Sequence, residues 1–379
     1  MELDKERKLK MKILFIAPLP LSPLDKVSGQ SKAAKVLYDQ LLLENHQVQV
    51  INLNKSSLDS GKVPVRRLMI ILKLLQQAFR NRKGQDLIYI SLAESFAGNM
   101  RDLAFYKILQ NDLDKVFIHM LGGAGMKEIL LKGGLQKRLN TSFMNKLAGV
   151  IVEGQVNADM FAQVTPQEKI HIVPNFAEDE LFISDEELDA KFNNFANVNV
   201  LYLSNLLPGK GYQELVDAYL KLTSEERENI NLTFVGGFAS VTDEKEFLLK
   251  ISNNNGIKYL GKYISGTEKR EVYLKHQIFC LPTYYSFEGQ PISILEGYAT
   301  GCVVITSNHS GIPYIFKDEK NGFMVEKKSV DSIVYALRKA ISDKPKLKDI
   351  AINNRNEALA NYRTKTYTGK ILKIFQKLE

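Results

Sequence analysis

Short runs of β-branched and aliphatic residues alternate along the chain with longer segments in which apolar positions recur every three or four residues. The runs predict strands at 12–17, 47–52, 86–91, 115–120, 149–153 and 169–173, and again at 199–204, 231–236, 257–260, 277–281, 302–306 and 322–325. The periodic segments predict helices, among them 31–43, 213–222 and 292–299. Many of the strand runs are apolar almost without interruption. Strands of that kind are buried on both faces, as in parallel sheets covered by helices. The expected class is therefore α/β, built as two similar halves. Pro174 stops the last strand of the first half, and 185–197 is acidic, asparagine-rich and without strand character. The break is expected around 174–197, giving domains at 1–180 and 198–360.

Composition agrees with this and adds limits. A length of 379 residues suits two domains. The chain is 45% apolar and 25% charged, with no uncharged apolar stretch of about 18 residues. The charged N-terminus lacks the apolar core of a signal peptide, so a cytoplasmic location is expected. Cys280 and Cys302 lie in apolar runs without metal-ligand spacing and read as buried thiols. The net charge of +8 is spread over the whole chain, and no nucleic-acid-binding pattern accompanies it. A phosphate-bearing substrate or an anionic membrane surface explains that charge equally well.

The segment 285–301, YSFEGQPISILEGYATG, is richest in chemistry. Pro291 suits the first turn of the helix that follows, which leaves Glu288 in the preceding loop and Glu296 about two turns inside. Their carboxylates are then on the order of 10 Å apart at 1.5 Å rise per residue. That is too far for an acid/base dyad on one bond. It suits the two ends of an extended ligand, with helix N–H groups between them facing a phosphate. Spacing alone equally fits a loop glutamate and an exposed helical glutamate without a ligand. Residues 203–211, LSNLLPGKG, run from a strand into a helix. Lys210 at that turn can offer a point charge to a diphosphate; a solvated surface lysine is the plainer alternative.

Glu288 to Glu296 is similar to the E-x7-E motif of family 4 of the retaining GT-B glycosyltransferases, also called group 1. CVVITSNHSGIP at 302–313 resembles the strand and glycine turn that come next, and NGFMV at 321–325 resembles a further family segment. The resemblance covers nearly the whole chain and is strongest over 199–325. It implies two Rossmann-like domains facing across a cleft, the first on the acceptor side and the second binding a nucleotide-sugar, with 364–379 packing back on the first. In that reading Glu288 holds donor-sugar hydroxyls and Glu296 accepts hydrogen bonds from the ribose. The Gly289–Gln290 backbone, just before Pro291, faces the pyrophosphate or the sugar. Lys210 and Gly211 fit the family's G-R-x4-K-G pattern, but Asn205 replaces its arginine, a neutral donor for a bidentate cation. His119, followed by Gly122, Gly123 and Gly125, matches a histidine that contacts the donor sugar and reacting centre. A lone strand histidine is otherwise a satisfied core residue, and Leu121 stands where the family often has a second one. Gly29 is what remains of a paired-glycine loop near phosphate and acceptor, after PLPLSP at 18–23.

The expected reaction is thus retaining, metal-independent hexosyl transfer to a saccharide or lipid-linked acceptor, in surface polysaccharide or glycoconjugate synthesis. The donor is a UDP- or GDP-linked sugar, a substrate and not a cofactor, and no cofactor is expected. By the same resemblance, retention without an obvious carboxylate nucleophile implies front-face substitution. Asp112 and Asp114 spell a D-x-D, the manganese motif of the other transferase fold, but they precede their strand and point to the wrong end of the sheet. Positive charge and helix dipoles are then left to stabilise the leaving diphosphate. No G-x-G-x-x-G follows the first strand, against a dinucleotide oxidoreductase. A sugar-nucleotide epimerase of related fold and a non-catalytic GT-B-like partner protein remain the rival readings. Finally, 63–83 carries an apolar stripe of Val65, Leu68, Met69, Leu72, Leu75 and Phe79 framed by Arg66, Arg67, Lys73, Arg80, Arg82 and Lys83. It fits a peripheral helix on the inner face of the cell membrane, and equally a core helix with basic ends.

Overall fold

The structure is a computed structural model that describes residues 10–20, 28–54, 64–93, 95–193, 195–261 and 264–378. Residues 21–23 and 63 of the segments above lie outside the described residues, as do the side chains of 64–67. Two compact units divide the chain: residues up to Pro174 with those from Thr368 onward, and Asn175–Tyr367.

The first unit contains β1 (Lys12–Ala17), β2 (Gln47–Asn52), β3 (Leu87–Ser91), β4 (Val116–Met120), β5 (Gly149–Val152) and β6 (Ile170–Ile172). They form a parallel sheet in the order β2-β1-β3-β4-β5-β6. Its helices are α1 (Gly29–Leu43), α2 (Pro64–Asn81), α3 (Phe96–Ile108), α4 (Ala124–Leu131), α5 (Leu135–Met144) and α6 (Gln155–Phe161). Alternate strand residues point to opposite faces. Leu14, Ile16, Ile88, Ile90, Ile118 and Met120 therefore share one core with Leu74, Phe105 and Met126 from the helices. On the other face Phe15 stacks on Tyr89 at 4.6 Å, and Phe117 lies 5.1 Å from Phe375 near the chain's end.

The second unit repeats the plan with β7 (Val198–Leu203), β8 (Ile230–Val235), β9 (Ile257–Tyr259), β10 (Ile278–Leu281), β11 (Val303–Ser307) and β12 (Gly322–Val325). The order is β12-β11-β10-β7-β8-β9. Around it run α7 (Asp185–Phe192), α8 (Tyr212–Lys221), α9 (Ser224–Glu228), α10 (Val241–Ile251), α11 (Gly266–Leu274), α12 (Ile292–Ala299), α13 (Val330–Ser342) and α14 (Lys344–Asn361). The last helix, α15 (Thr364–Phe375), runs from the second unit into the first.

All the expected strands are present to within one residue at each end. Within the stretch expected to hold the break, 185–192 forms a helix rather than a strand. Ser184 and Glu187 make a capping box that starts α7, and Leu188 and Phe192 bury its apolar side in the second unit's core.

In each sheet the strand order reverses once, between β1 and β3 and between β7 and β10. Chains leaving the carboxyl ends of such neighbours turn to opposite faces, and the crevice they leave is where ligands of parallel sheets bind.

Candidate active site

In the second unit β10 pairs with β7, and the loops leaving their carboxyl ends meet. The turn after β7 comes close because it has no side chains there. Gly211 has φ +82°, and a Cβ on it would lie 2.4 Å from the carbonyl of Pro282. Gly209 accepts from the Tyr284 N–H at 2.7 Å. This approach delivers Lys210 to Glu288, with Nζ 2.8 and 3.0 Å from the two carboxylate oxygens. The Thr283 hydroxyl donates to the same carboxylate at 2.8 Å. The Tyr285 ring centroid is 5.1 Å from Nζ, a cation–π distance. Glu288 is 8% exposed, so the solvated surface lysine of the plainer alternative does not describe Lys210, which is held in a mostly buried ion pair.

The loop carrying Glu288 is fixed along its length. The Ser310 hydroxyl donates to the Glu288 carbonyl at 2.6 Å, and the Gly311 N–H to that of Gly289 at 3.2 Å. Asn175 donates its backbone N–H to Gln290 Oε1 at 2.6 Å and its side-chain amide to the Gln290 carbonyl at 2.8 Å. Pro291 is the cap of α12, one position earlier than the first-turn placement expected, because its ψ of 118° is still extended. No side chain caps the helix, so its first N–H groups form an electropositive end beside the Lys210–Glu288 pair.

Glu296, on α12, is buried rather than displayed on a helix surface. Lys269 of α11 donates to its Oε1 at 3.0 Å, and the Tyr273 hydroxyl lies 3.3 Å from Oε2. Lys269 also pairs with Glu178. Nothing in the motif spacing pointed to these residues, because Lys269 and Tyr273 lie on α11 and Glu178 lies in the segment before α7. Asn205 is exposed just beyond β7.

In the first unit, Gly29 opens α1 directly after Ser28, whose hydroxyl forms a capping box with Ser31. Gln30 reaches across the switch point, donating to the Ser91 hydroxyl at 3.0 Å and the Leu92 carbonyl at 2.7 Å. His119 sits in the last turn of β4's pleat but inside the unit, 1% exposed, with Nδ1 2.8 Å from the Tyr89 hydroxyl. Burial pushes its imidazole down to about 3, so the ring is neutral at pH 7. The glycine loop that follows is held by Glu153 and Asn157, which bond Gly122 N–H and carbonyl at 3.0 and 2.7 Å. Glu153, a buried carboxylate at the end of β5, was not singled out from the sequence. Asp112 caps and Asp114 lies within a short turn, Leu113–Lys115, at the amino end of β4, the end opposite that loop. Among the described residues there is no cluster of metal-ligating side chains.

Comparison with known proteins gives matches in sequence and in fold. Residues 184–357 match the family model of the glycosyl transferases group 1. An uncharacterised glycosyltransferase of Methanocaldococcus jannaschii is 24% identical over 70% of this chain and 69% of its own. A GDP-mannose-dependent alpha-(1-6)-phosphatidylinositol monomannoside mannosyltransferase of Mycobacterium tuberculosis is 26% identical over 49% of each chain. In fold, the chain is similar to Anabaena HepE, solved in complex with UDP, at a TM-score of 0.70 and 17% identity, covering 97% of this chain and 100% of that one. The second unit thus matches the group 1 glycosyl transferase family over 184–357, and the chain's two α/β units have the GT-B fold.

Proposed function

We propose that this glycosyltransferase moves a sugar from a UDP- or GDP-linked donor, with retention and without a metal, and that the second unit holds the donor. The observation that carries this reading is the Lys210–Glu288 pair beside the uncapped start of α12, at the sheet's switch point. An ammonium has three donors, and Glu288 takes two directions of Lys210, so one remains to meet a diphosphate oxygen. With the helix end it counters the charge that grows on the leaving diphosphate. Glu288 is assigned to the sugar hydroxyls, Glu296 to the ribose, and the 289–291 backbone with Asn205 to the diphosphate and sugar. His119 and Gly29 are the first unit's assigned contributions. The leaving phosphate takes the proton of the incoming hydroxyl in a front-face substitution. Transfer assayed with UDP- and GDP-sugars is expected to persist in excess EDTA. Loss of transfer in EDTA, with rescue by manganese, overturns the metal-free mechanism.

A second reading concerns the acceptor. On α2, Leu74 and Ala78 are buried in the unit, while Leu68, Met69, Leu72 and Phe79 are each more than half exposed. The stripe read from the sequence is therefore mostly the outer face, flanked by Lys73, Arg80, Arg82 and Lys83. An apolar face with basic flanks suits a peripheral position on an anionic membrane, where a lipid-linked acceptor resides. The lipid acceptor in the name of the mycobacterial relative supports the same view. No helix among the described residues is long and apolar enough to cross a membrane. Sedimentation with anionic liposomes at low salt is expected, and is expected to fail for Leu68→Ser/Leu72→Ser/Phe79→Ser. Equal sedimentation of both proteins rejects α2 as the contact.

A further inference from the structure

One short segment holds both ends of the E-x7-E motif. Asn175 bonds Gln290 twice, fixing the loop before α12. Three residues on, Glu178 pairs with Lys269, and Lys269 pairs with Glu296 two turns inside the same helix. The side chains of Lys269 and Glu296 are 4% and 3% exposed, and that of Glu178 is 27% exposed. One ammonium thus ties three separate segments: residues 175–181, α11 and α12. A buried ion pair is weak evidence for stability, since apolar residues of similar volume often serve as well. The geometry gives this one a different use. It sets the rotamer of Glu296 and the distance of its carboxylate from the clamped loop at Gln290.

We propose that Lys269 is a positioning residue for nucleotide recognition: it aims the Glu296 carboxylate at the vicinal diol of the donor's ribose. The proposal rests on the assignment of Glu296 to the ribose. Without Lys269, two carboxylates face each other in a poorly solvated site, and Glu296 swings away from its aim. Tyr273 contributes to the same aim through its hydroxyl, which also lies 3.2 Å from the Ser293 carbonyl.

The test uses the full chain with UDP (GDP if UDP does not bind) and the 2′,3′-dideoxy form of the same nucleotide. Wild type is expected to bind the diol-bearing nucleotide roughly tenfold or more tightly, the worth of a charge-assisted hydrogen bond. Lys269→Met is expected to lose about that factor toward the diol nucleotide and little toward the dideoxy one. Donor KM should rise while kcat at saturating donor stays near wild type. If Lys269→Met does not fold, Tyr273→Phe serves in its place and should show the same selective loss at about threefold, as expected for one long hydrogen bond. A wild type that ignores the diol overturns the ribose assignment of Glu296 itself. A wild type that reads the diol, with variants losing both nucleotides equally or neither, overturns the positioning role and leaves that assignment standing.

Discussion

At the carboxyl ends of β7 and β10, charge is concentrated and held: Lys210 on Glu288, Lys269 on Glu296 and Glu178. At the carboxyl ends of β1, β3 and β4 stand the Gln30 amide, the Ser91 hydroxyl and an imidazole buried beside Tyr89, while the Glu153 and Asp102 carboxylates there accept from the backbone N–H groups of Gly122 and Ala93. Both sheets are parallel and six-stranded with one switch point each, though their strand orders differ, and in the proposed reading the contrast reflects what each one meets. A nucleotide diphosphate brings charge at fixed spacing, and binding it needs cations and carboxylates already aimed before it arrives. A sugar hydroxyl or a lipid, the partner proposed for the first unit, brings little charge, and a glycine-lined edge of amide, hydroxyl and imidazole groups suits it. Preorganisation of the charged site is visible in the hydrogen bonds that fix the 288–291 loop from Asn175, Ser310 and Gly311.

The largest effects should follow from breaking the charged side of this contrast. Lys210→Ala removes a cation from the leaving diphosphate and strands a buried carboxylate, so the transfer rate should fall on the order of 10²-fold or more, as when one transition-state donor is lost. Glu288→Ala should lower turnover far more than affinity for the free nucleotide diphosphate, which has no sugar for it to hold. Steady-state kinetics with isothermal titration of the nucleotide distinguish the two patterns. Equal and small effects from both substitutions would remove the donor site from this pair.

Much of the fold was legible because parallel strands buried on both faces print long apolar runs, as KILFIA and VVITS do. The 288–296 motif was legible because its residues share one loop and one helix. Lys269, Tyr273 and Glu178 were not, since their meeting with Glu296 depends on the packing of α11 and of residues 175–181 against α12. The same limit hid α7, although its capping box, S-D-E-E at 184–187, was a local signal that could have placed it. For α2, periodicity showed an apolar stripe but not which apolar residues face outward. That depends on what α3 and β2 cover.

Each unit contains a buried neutral histidine, which allows a test of how alike their interiors are. His119 is pushed down to about 3 and His276 to about 4, both mainly by burial. Unfolded, each binds a proton near pH 6.5, well before the folded state does. The unfolded chain therefore gains protons first as pH falls, and stability is full above that value and is lost from about 6.5 downward. Each histidine should contribute a slope of up to about 1.4 kcal/mol per pH unit across that window. Chemical denaturation at pH 7 and 5 should show a smaller acid loss for His119→Asn and for His276→Asn than for wild type. An unchanged slope in one variant would mean that its unit's histidine is not the group that takes the proton.

The smallest expected effect tests whether the charged site is complete. Asn205 stands where an arginine is the commoner choice in the resembling family, and it is exposed at the end of β7, five residues before Lys210. A guanidinium there needs no repacking of the core, and its fork can meet a phosphate through two parallel hydrogen bonds. Because the position faces solvent, the gain is limited by screening and by the entropy of ordering a long side chain. Asn205→Arg should therefore tighten the nucleotide diphosphate by only about 0.5–1 kcal/mol, a few-fold. The gain should shrink as added salt shortens the screening length toward about 3 Å at 1 M. It should also require Lys210, since a lone exposed cation cannot replace the buried one that Glu288 orients. A salt-insensitive gain, or one of equal size in the Lys210→Ala background, would show that residue 205 does not face the diphosphate.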